Sequence, residues 1–330
     1  MAFSASFLFG LIVLIGILGK IDWKEFWEAF SSFPKLGFFL VLLLTLGWVA
    51  IGVLRLKLIF KSKGFRFSLV ELGKIWLAGF SILYFFPTLL FGGAAFQTHI
   101  LNKKFLVPWQ KSISSILIDN VLEMTIALLV ILFGICFFII ETGFILLKIG
   151  VIFIIFFLIF TFLLFFYFKS FKKESVLKIF VKKFIQKLSI KNKVLEFEKE
   201  VFQFFNLKSK SFWQGITLSI LKTLANLGRY SVLIYFLGKG TNVLRAFSVL
   251  SFSFVANLIP VPTALGSQEL FQCLVFNAFG WGSPSAVLLT MILRAVLILI
   301  AGVGIIILAQ YGIANIVFNT NHQSNKGRKF

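Results

Sequence analysis

Long apolar stretches, separated by short polar and basic segments, run along almost the whole chain. Six of them are long enough to cross a bilayer as helices, which takes about 20 residues each. They predict transmembrane helices at about 1–19, 36–54, 112–140, 144–168, 211–238 and 285–310. Two further apolar stretches, 67–101 and 246–284, are interrupted near the middle by proline and glycine. The pattern predicts an all-α polytopic integral membrane protein with about eight hydrophobic segments.

The composition agrees with this class. Hydrophobic residues make up 59% of the chain, against roughly 45 to 50% in soluble domains. No segment has the composition of a separate soluble domain, so we expect one transmembrane domain over 1–316 and a polar tail over 317–330. The first residues lack the basic segment of a signal peptide, and we interpret 1–19 as the first span.

Charge sets the expected topology. The chain has 33 Lys and Arg against 12 Asp and Glu, a net charge of +21. The basic residues cluster at 55–66, 102–111, 169–210 and in the tail, which the positive-inside rule assigns to the cytoplasm. We expect a bacterial cytoplasmic-membrane protein with both termini inside. Because the charges lie beside apolar spans, the expected partners of this face are anionic phospholipids, not nucleic acid.

The first interrupted stretch is predicted to form a re-entrant hairpin. Segments 55–66 and 102–111 are both assigned to the cytoplasm, so the chain between them has to enter the membrane and return. Proline and paired glycines, here Pro87, Gly92 and Gly93, break a helix. The alternative is a pair of ordinary spans in which the proline is only a kink.

The second interrupted stretch resembles the first. It contains Pro260, Pro262 and Gly266 and is predicted to enter from the opposite face. The breaks are similar in sequence, PTLLFG at 87–92 and PTALG at 262–266. Two interrupted segments in opposite orientation are typical of an inverted repeat with a substrate site near the midplane.

Between 170 and 210 the pattern becomes that of amphipathic helices, with apolar residues at helical spacing and lysines on the other faces. It predicts a basic helical hairpin at the cytoplasmic surface. Its role is left open between fixing the topology and docking a lipid or a partner.

Ionisable side chains inside the predicted spans mark candidate functional positions, because each costs a few kcal/mol. They are Lys74, Asp119, Glu123, Lys222, Arg229, Glu269 and Arg294. Glu269 follows the second break, where it can cap a helix, bind a cationic headgroup, or pair with Arg294 or Arg229. The two arginines suit phosphate, or else form internal pairs with Asp119 or Glu123.

Four features occur together over about residues 5–315: an Arg before a basic loop, a Pro and Gly-Gly break, an acidic residue in the following span, and a late P-x-P-x-x-x-G-x-x-E. In this combination the chain resembles the lysylphosphatidylglycerol synthase transmembrane family. The matching positions are Pro87, Gly92, Gly93, Asp119, Pro260, Pro262, Gly266, Glu269 and Arg294. Gln97 stands where the family usually has Arg, and Thr263 and Ala264 replace its Gly-Gly. The resemblance implies a flippase-like protein without the aminoacyltransferase domain.

We therefore predict a lipid or amphiphile translocator whose headgroup passes through a cavity between the hairpins. The predicted lining residues are Pro87, Gly92, Gly93, Gln97, Asp119, Glu123, Arg229, Asn257, Pro260, Pro262, Gly266, Glu269 and Arg294. Alternatives are a secondary transporter of a small polar solute and an accessory protein for lipid or glycolipid synthesis. We expect no enzyme activity, metal or cofactor, because no nucleophile motif, phosphate loop or cysteine cluster occurs. A homo-oligomer is left open.

Overall fold

The computed structural model describes residues 2–86, 92–143 and 191–326, together with residues 161, 165 and 167. The predicted span at 144–168 therefore lies outside the described residues apart from three helical positions. Pro87 and the first half of the predicted basic helical hairpin, 170–190, lie outside them as well.

The described residues form α-helices and one short 3-10 helix. In chain order the α-helices are α1 (Ala2–Leu18), α2 (Trp23–Ser32), α3 (Lys35–Ser62), α4 (Leu69–Phe85), α5 (Gly92–Phe105), α6 (Trp109–Thr142), α7 (Lys191–Phe204), α8 (Lys210–Phe236), α9 (Val243–Asn257), α10 (Ser267–Ala278) and α11 (Ser283–Lys326). Helices α3, α6 and the Ser283–Tyr311 part of α11 are long and apolar enough to cross a membrane. The predicted all-α polytopic class is confirmed.

Helix α8 lies antiparallel against α3. Phe236 at the end of α8 packs beside Gly37 at the start of α3, and Ser219 near the start of α8 bonds Arg55 near the end of α3. With 27 residues, α8 is about 40 Å long, which is enough to cross a bilayer. Its apolar character is reduced by a polar face that is turned toward α3.

Helices α4 and α5 form an antiparallel hairpin. The Gln97 side chain donates to the Ile75 carbonyl across the pair at 3.4 Å. One turn further toward the tip, a Cβ on Gly93 would lie 2.5 Å from the Gly79 carbonyl oxygen, so the backbones approach too closely for any other residue there. As described, the helices have 17 and 14 residues, about 25 and 21 Å, which is shorter than a hydrocarbon core of about 30 Å.

Helices α9 and α10 form a second antiparallel hairpin. The Gln272 side chain donates to the Val249 carbonyl at 3.1 Å, and Gln268 donates to Ser253 Oγ at 3.0 Å. Between the helices the chain reverses through the 3-10 helix Pro262–Ala264, in which Thr263 and Ala264 have φ of 53° and 49°. The second break is therefore a reversal of direction and not a kink.

The two hairpins open at opposite ends of the bundle. Phe67, at the base of the first, packs on Phe60 near the end of α3 with ring centroids 5.2 Å apart. At the base of the second, Arg245 Nε lies 2.5 Å from Glu141 Oε1 near the end of α6. Helices α3 and α6 are antiparallel, because Lys63 just after α3 reaches the first turns of α6. The two bases are therefore at different ends.

The hairpin tips meet at a cavity of about 460 Å³. Its lining is Phe7, Ser81, Ile82, Phe85, Phe86, Pro262, Thr263, Ile305 and Leu308. Among the described residues this lining is almost entirely apolar, whereas the expectation was a charged cavity at this place. The ionisable side chains lie on other faces of the helices.

Helix α7 packs onto the bundle. It lies in the second half of the predicted basic helical hairpin. Its Val201 and Phe204, with Phe205 just after it, are buried in a cluster with Ile59 of α3 and Leu122 of α6. This half of the predicted hairpin is thus a tertiary element of the bundle and not a helix that rests on lipid alone.

Helix α7 also faces a buried cation. Lys63 Nζ lies 3.5 Å from Glu200 Oε2 and donates to Ser114 Oγ. Burial lowers the pKa of Lys63 to about 8, although Glu200 opposes the shift. Since the unfolded lysine titrates near pH 10.4, the unfolded chain binds more protons between the two values, and stability rises with pH there.

We expect Lys63 to make the free energy of unfolding rise by on the order of 3 kcal/mol as the pH goes from about 8 to about 10.4. Over this pH range, the midpoint temperature of thermal unfolding should rise less for the Lys63→Met variant than for the native protein. Lys61→Met, at an exposed position two residues earlier, should keep the native slope. Equal slopes for Lys63→Met and the native protein would contradict the assignment.

Candidate functional site

A row of buried polar side chains follows one face of α8. Its members are Ser219, Lys222, Asn226 and Arg229, each at most 7% exposed. The spacing of three, four and three residues places them on one face, over about 15 Å of helix. We call these residues, together with the α3, α4 and α6 side chains that contact them, the polar seam.

The first part of the polar seam is an ion-pair network around Arg55. Its Nε lies 2.6 Å from Asp119 Oδ1, its Nη2 lies 2.6 Å from Glu123 Oε2, and its Nη1 donates to Ser219 Oγ at 2.9 Å. Lys222 Nζ lies 2.6 Å from the same Glu123 oxygen. Two cations therefore balance two carboxylates, and Arg55 is only 1% exposed.

This network corrects two expectations. Arg55 was assigned to a cytoplasmic loop, but α3 continues to Ser62 and its helical phase turns Arg55 into the bundle. Asp119 and Glu123 were considered as partners of Arg229 or Arg294. They lie one turn apart on α6 and face α3 and α8, so Arg55 and Lys222 are the cations within reach.

The second part of the polar seam is Arg229. Asn226 Oδ1 accepts from both its Nε, at 3.2 Å, and its Nη2, and Nη1 donates to Thr45 Oγ1 at 3.3 Å. No carboxylate of the described residues pairs with it, and of the acidic residues only Glu174 lies outside them. Of the five guanidinium N–H groups, two remain without a partner there.

Aromatic rings connect the two parts. Trp48 lies between the cations, with its ring 4.5 Å from Lys222 Nζ and 5.1 Å from the Arg229 guanidinium carbon. Trp76 of α4 lies 5.4 Å from Lys222 Nζ. Ring faces attract cations and offset part of their desolvation. With Arg55, the described seam holds three cations against two carboxylates, an excess of one positive charge.

A second buried ion pair lies at the other hairpin. Glu269 Oε2 accepts from the Gly266 backbone N–H at 2.9 Å, and Oε1 lies 2.7 Å from Arg294 Nη2. This contact is close but poorly aligned, so Oε1 has no hydrogen-bond partner in the described part of the chain, and neither has the nearby Tyr84 hydroxyl or Gln272 Oε1. Glu269 thus has both the capping and the pairing contacts considered for it.

A family model described as the lysylphosphatidylglycerol synthase TM region matches residues 2–304. The chain belongs to the lysylphosphatidylglycerol synthase transmembrane family. No curated protein and no solved structure matches the chain significantly. The resemblance drawn from the two breaks is therefore confirmed.

In this member of the lysylphosphatidylglycerol synthase transmembrane family, the predicted site residues fall in three places. Asp119, Glu123 and Arg229 belong to the polar seam. Gly266, Glu269 and Arg294 form the second ion pair and its cap. The others lie in the hairpins. In the first hairpin, Gly92 and Gly93 are the first described residues of α5, and Gln97 packs on Gly79. In the second, Pro262 is buried at the reversal, Pro260 is exposed, and Asn257 is exposed and accepts a hydrogen bond from Gln268.

Several residues of the polar seam are absent from the predicted site. They are Arg55, Asn226, Thr45 and Trp48. Lys222 was a candidate functional position but was not included in the predicted lining. A usable signal was present in the sequence, since the polar residues from Ser219 to Arg229 recur at helical spacing inside an otherwise apolar segment.

Proposed function

We propose that this protein translocates an amphiphile with an anionic, phosphate-bearing headgroup across the bacterial cytoplasmic membrane, with both termini in the cytoplasm. The headgroup follows the polar seam while the apolar tails stay in lipid. One observation carries the proposal: Arg229 is a buried cation with no carboxylate partner in the described part of the chain.

The chemistry of Arg229 favours phosphate. Its guanidinium is always protonated, and its planar arrangement of donors matches the oxygens of a phosphate. A buried charge is costly unless it is paired, so an anionic ligand would relieve a cost that Asn226 and Thr45 only reduce. Asp119 and Glu123 are already engaged by two cations, which favours an anionic headgroup over a cationic one.

The hairpins suit movement of a headgroup between two faces. We propose that they are re-entrant elements of an inverted repeat. Pro87 and Gln97 are ten positions apart, as are Pro262 and Gln272, and each glutamine donates to a carbonyl of the preceding helix. Trp76 of the first hairpin contacts the polar seam, so a shift of this hairpin would alter access to it.

Reconstituted vesicles test the function. We expect the protein to speed the movement of fluorescent phosphatidylglycerol between leaflets, measured by quenching of the outer leaflet with an impermeant reagent. Absence of any acceleration over empty vesicles, for anionic and zwitterionic lipids alike, would refute the proposal. Proton- or sodium-driven uptake of a solute by such vesicles would instead favour a secondary transporter.

The Arg229→Gln variant tests the role of the unpaired cation. It should slow the movement of phosphatidylglycerol by about 10- to 100-fold, the usual worth of a hydrogen bond to a charged group, and change the movement of phosphatidylcholine much less. Lys24→Gln, an exposed position in α2, removes the same charge and should leave both rates unchanged. An unaltered preference between the two lipids in Arg229→Gln would remove Arg229 from the mechanism.

A further inference from the structure

A separate cleft of about 450 Å³ lies at the end of α3, away from the polar seam. It is lined by Lys57, Lys61, Phe65, Arg66 and Phe67. Three cations and two aromatic rings therefore surround it, without a carboxylate among the described residues. We call it the basic cleft.

The backbone that forms the basic cleft is well determined by the sequence. Helix α3 ends in a Schellman motif: Gly64 has φ of 86° and donates to the Lys61 carbonyl at 3.1 Å, and Phe65 donates to the Phe60 carbonyl at 3.0 Å. This ending needs a residue that tolerates positive φ, and glycine is the usual one. Phe67 is then held by Phe60, with ring centroids 5.2 Å apart.

The cations of the basic cleft have no carboxylate partner in the described part of the chain, unlike their neighbours Arg55 and Lys63. Arg55 is engaged by two carboxylates, and Lys63 by a carboxylate of α7 and a serine hydroxyl. Lys57, Lys61 and Arg66 form no ion pair with any carboxylate of the described residues. Three positive charges that share one concave surface will attract an anion with several charges or several acceptor oxygens.

The surroundings of the basic cleft identify the source of that anion. The cleft lies at the end of a membrane-spanning helix, on the side that the positive-inside rule assigns to the cytoplasm. Leu69 and Val70, directly after it, are 46% and 67% exposed. Together with the rings of Phe65 and Phe67, they offer an apolar surface beside the cations, which suits acyl chains and not a free anion.

We propose that the basic cleft binds the phosphate headgroup of an anionic phospholipid from that leaflet, as a site distinct from the polar seam. The lysines and Arg66 contact the phosphate oxygens, and the aromatic rings pack against the glycerol and the upper acyl chain. Basic pockets beside transmembrane helices bind anionic headgroups in this manner. The proposal concerns lipid binding alone and does not depend on translocation.

Native mass spectrometry of the full chain tests it, with dioleoyl phosphatidylglycerol or dioleoyl phosphatidylcholine titrated into detergent. We expect the native protein to retain one phosphatidylglycerol in preference to phosphatidylcholine. The Lys57→Gln, Lys61→Gln, Arg66→Gln triple variant should bind it on the order of 100-fold more weakly, given the usual contribution of each basic residue. A matched triple variant, Lys103→Gln, Lys208→Gln, Lys210→Gln, removes three exposed charges at the same end of the bundle and should bind it normally.

Equal weakening in the two triple variants, or equal retention of both lipids by the native protein, would overturn the proposal. Millimolar inorganic phosphate distinguishes the sources of the anion: it should not displace the lipid, and displacement would show that the cleft accepts a free anion instead. If the triple variant unfolds at a lower temperature than the native protein, Lys61→Gln and Arg66→Gln are used singly. These exposed positions should each weaken binding several-fold, and two unchanged affinities would also overturn it.

Discussion

Replacing Arg55 with alanine is expected to lower the free energy of unfolding by about 3 to 5 kcal/mol, because it leaves the buried Asp119 carboxylate without its cation. Asp119 loses its only ion-pair partner among the described residues, and Glu123 keeps Lys222 alone. The Ser219 hydroxyl also loses the hydrogen bond that it accepts from Arg55 Nη1. The excess positive charge of the polar seam disappears, so movement of anionic lipid should fall as well.

Denaturant unfolding in lipid-free detergent micelles measures this effect. Arg66→Ala is the matched control, since Arg66 is exposed and has no ion pair in the described structure; it should cost no more than about 0.5 kcal/mol. Adding Asp119→Asn to Arg55→Ala should cost less than the sum of the two single changes, by about 1 to 3 kcal/mol. Additive costs, or an Arg55→Ala as mild as Arg66→Ala, would contradict the network.

The spans and the breaks were predictable because their signals are local. An apolar run of sufficient length predicts a spanning helix, and the predicted 112–140 became α6, Trp109–Thr142. Proline and glycine likewise predict where helices end: α4 ends at Phe85 and α10 begins at Ser267, on the expected sides of the two breaks. Neither signal depends on which helices are neighbours.

The polar seam was less predictable because it depends on helical phase and on neighbours. Counting charges placed Arg55 in a loop, since it stands at the start of a basic run. Arg55 is buried because α3 continues for two further turns beyond the predicted end of the span, and because Asp119 and Glu123 of α6 lie beside it. Arg229 was identified as unusual, but whether it pairs internally depends on the packing of α8 against α3.

The second ion pair was predictable in part. The position of Glu269 in the first turn after a break made a capping role predictable, and the bond to the Gly266 N–H agrees with it. The choice of Arg294 over Arg229 as its partner depends on α10 packing against α11, which the sequence pattern does not specify.

Gly266→Ala is expected to be the second most damaging change, at about 2 to 5 kcal/mol. Gly266 has φ of 77°, where a side chain costs about 1 to 2 kcal/mol. An added Cβ would also collide with the Gly10 carbonyl oxygen and lie 3.1 Å from Val13 Cβ, and such overpacking costs about 1 to 3 kcal/mol. The carbonyl belongs to the backbone of α1, so the collision can be relieved only by moving α1 or the hairpin tip.

Such a movement would also disturb the second ion pair, because the Gly266 N–H is the group that positions Glu269 beside Arg294. Gly16→Ala is the matched control on α1, since a Cβ there meets nothing within 4 Å; it should leave stability unchanged or raise it by up to about 1 kcal/mol through helix propensity. The same micelle unfolding assay compares the two variants. If Gly266→Ala proved as stable as Gly16→Ala, the close seating of the second hairpin tip on α1 would be disproved, since neither the positive φ of Gly266 nor the nearby Gly10 carbonyl leaves room for a Cβ there.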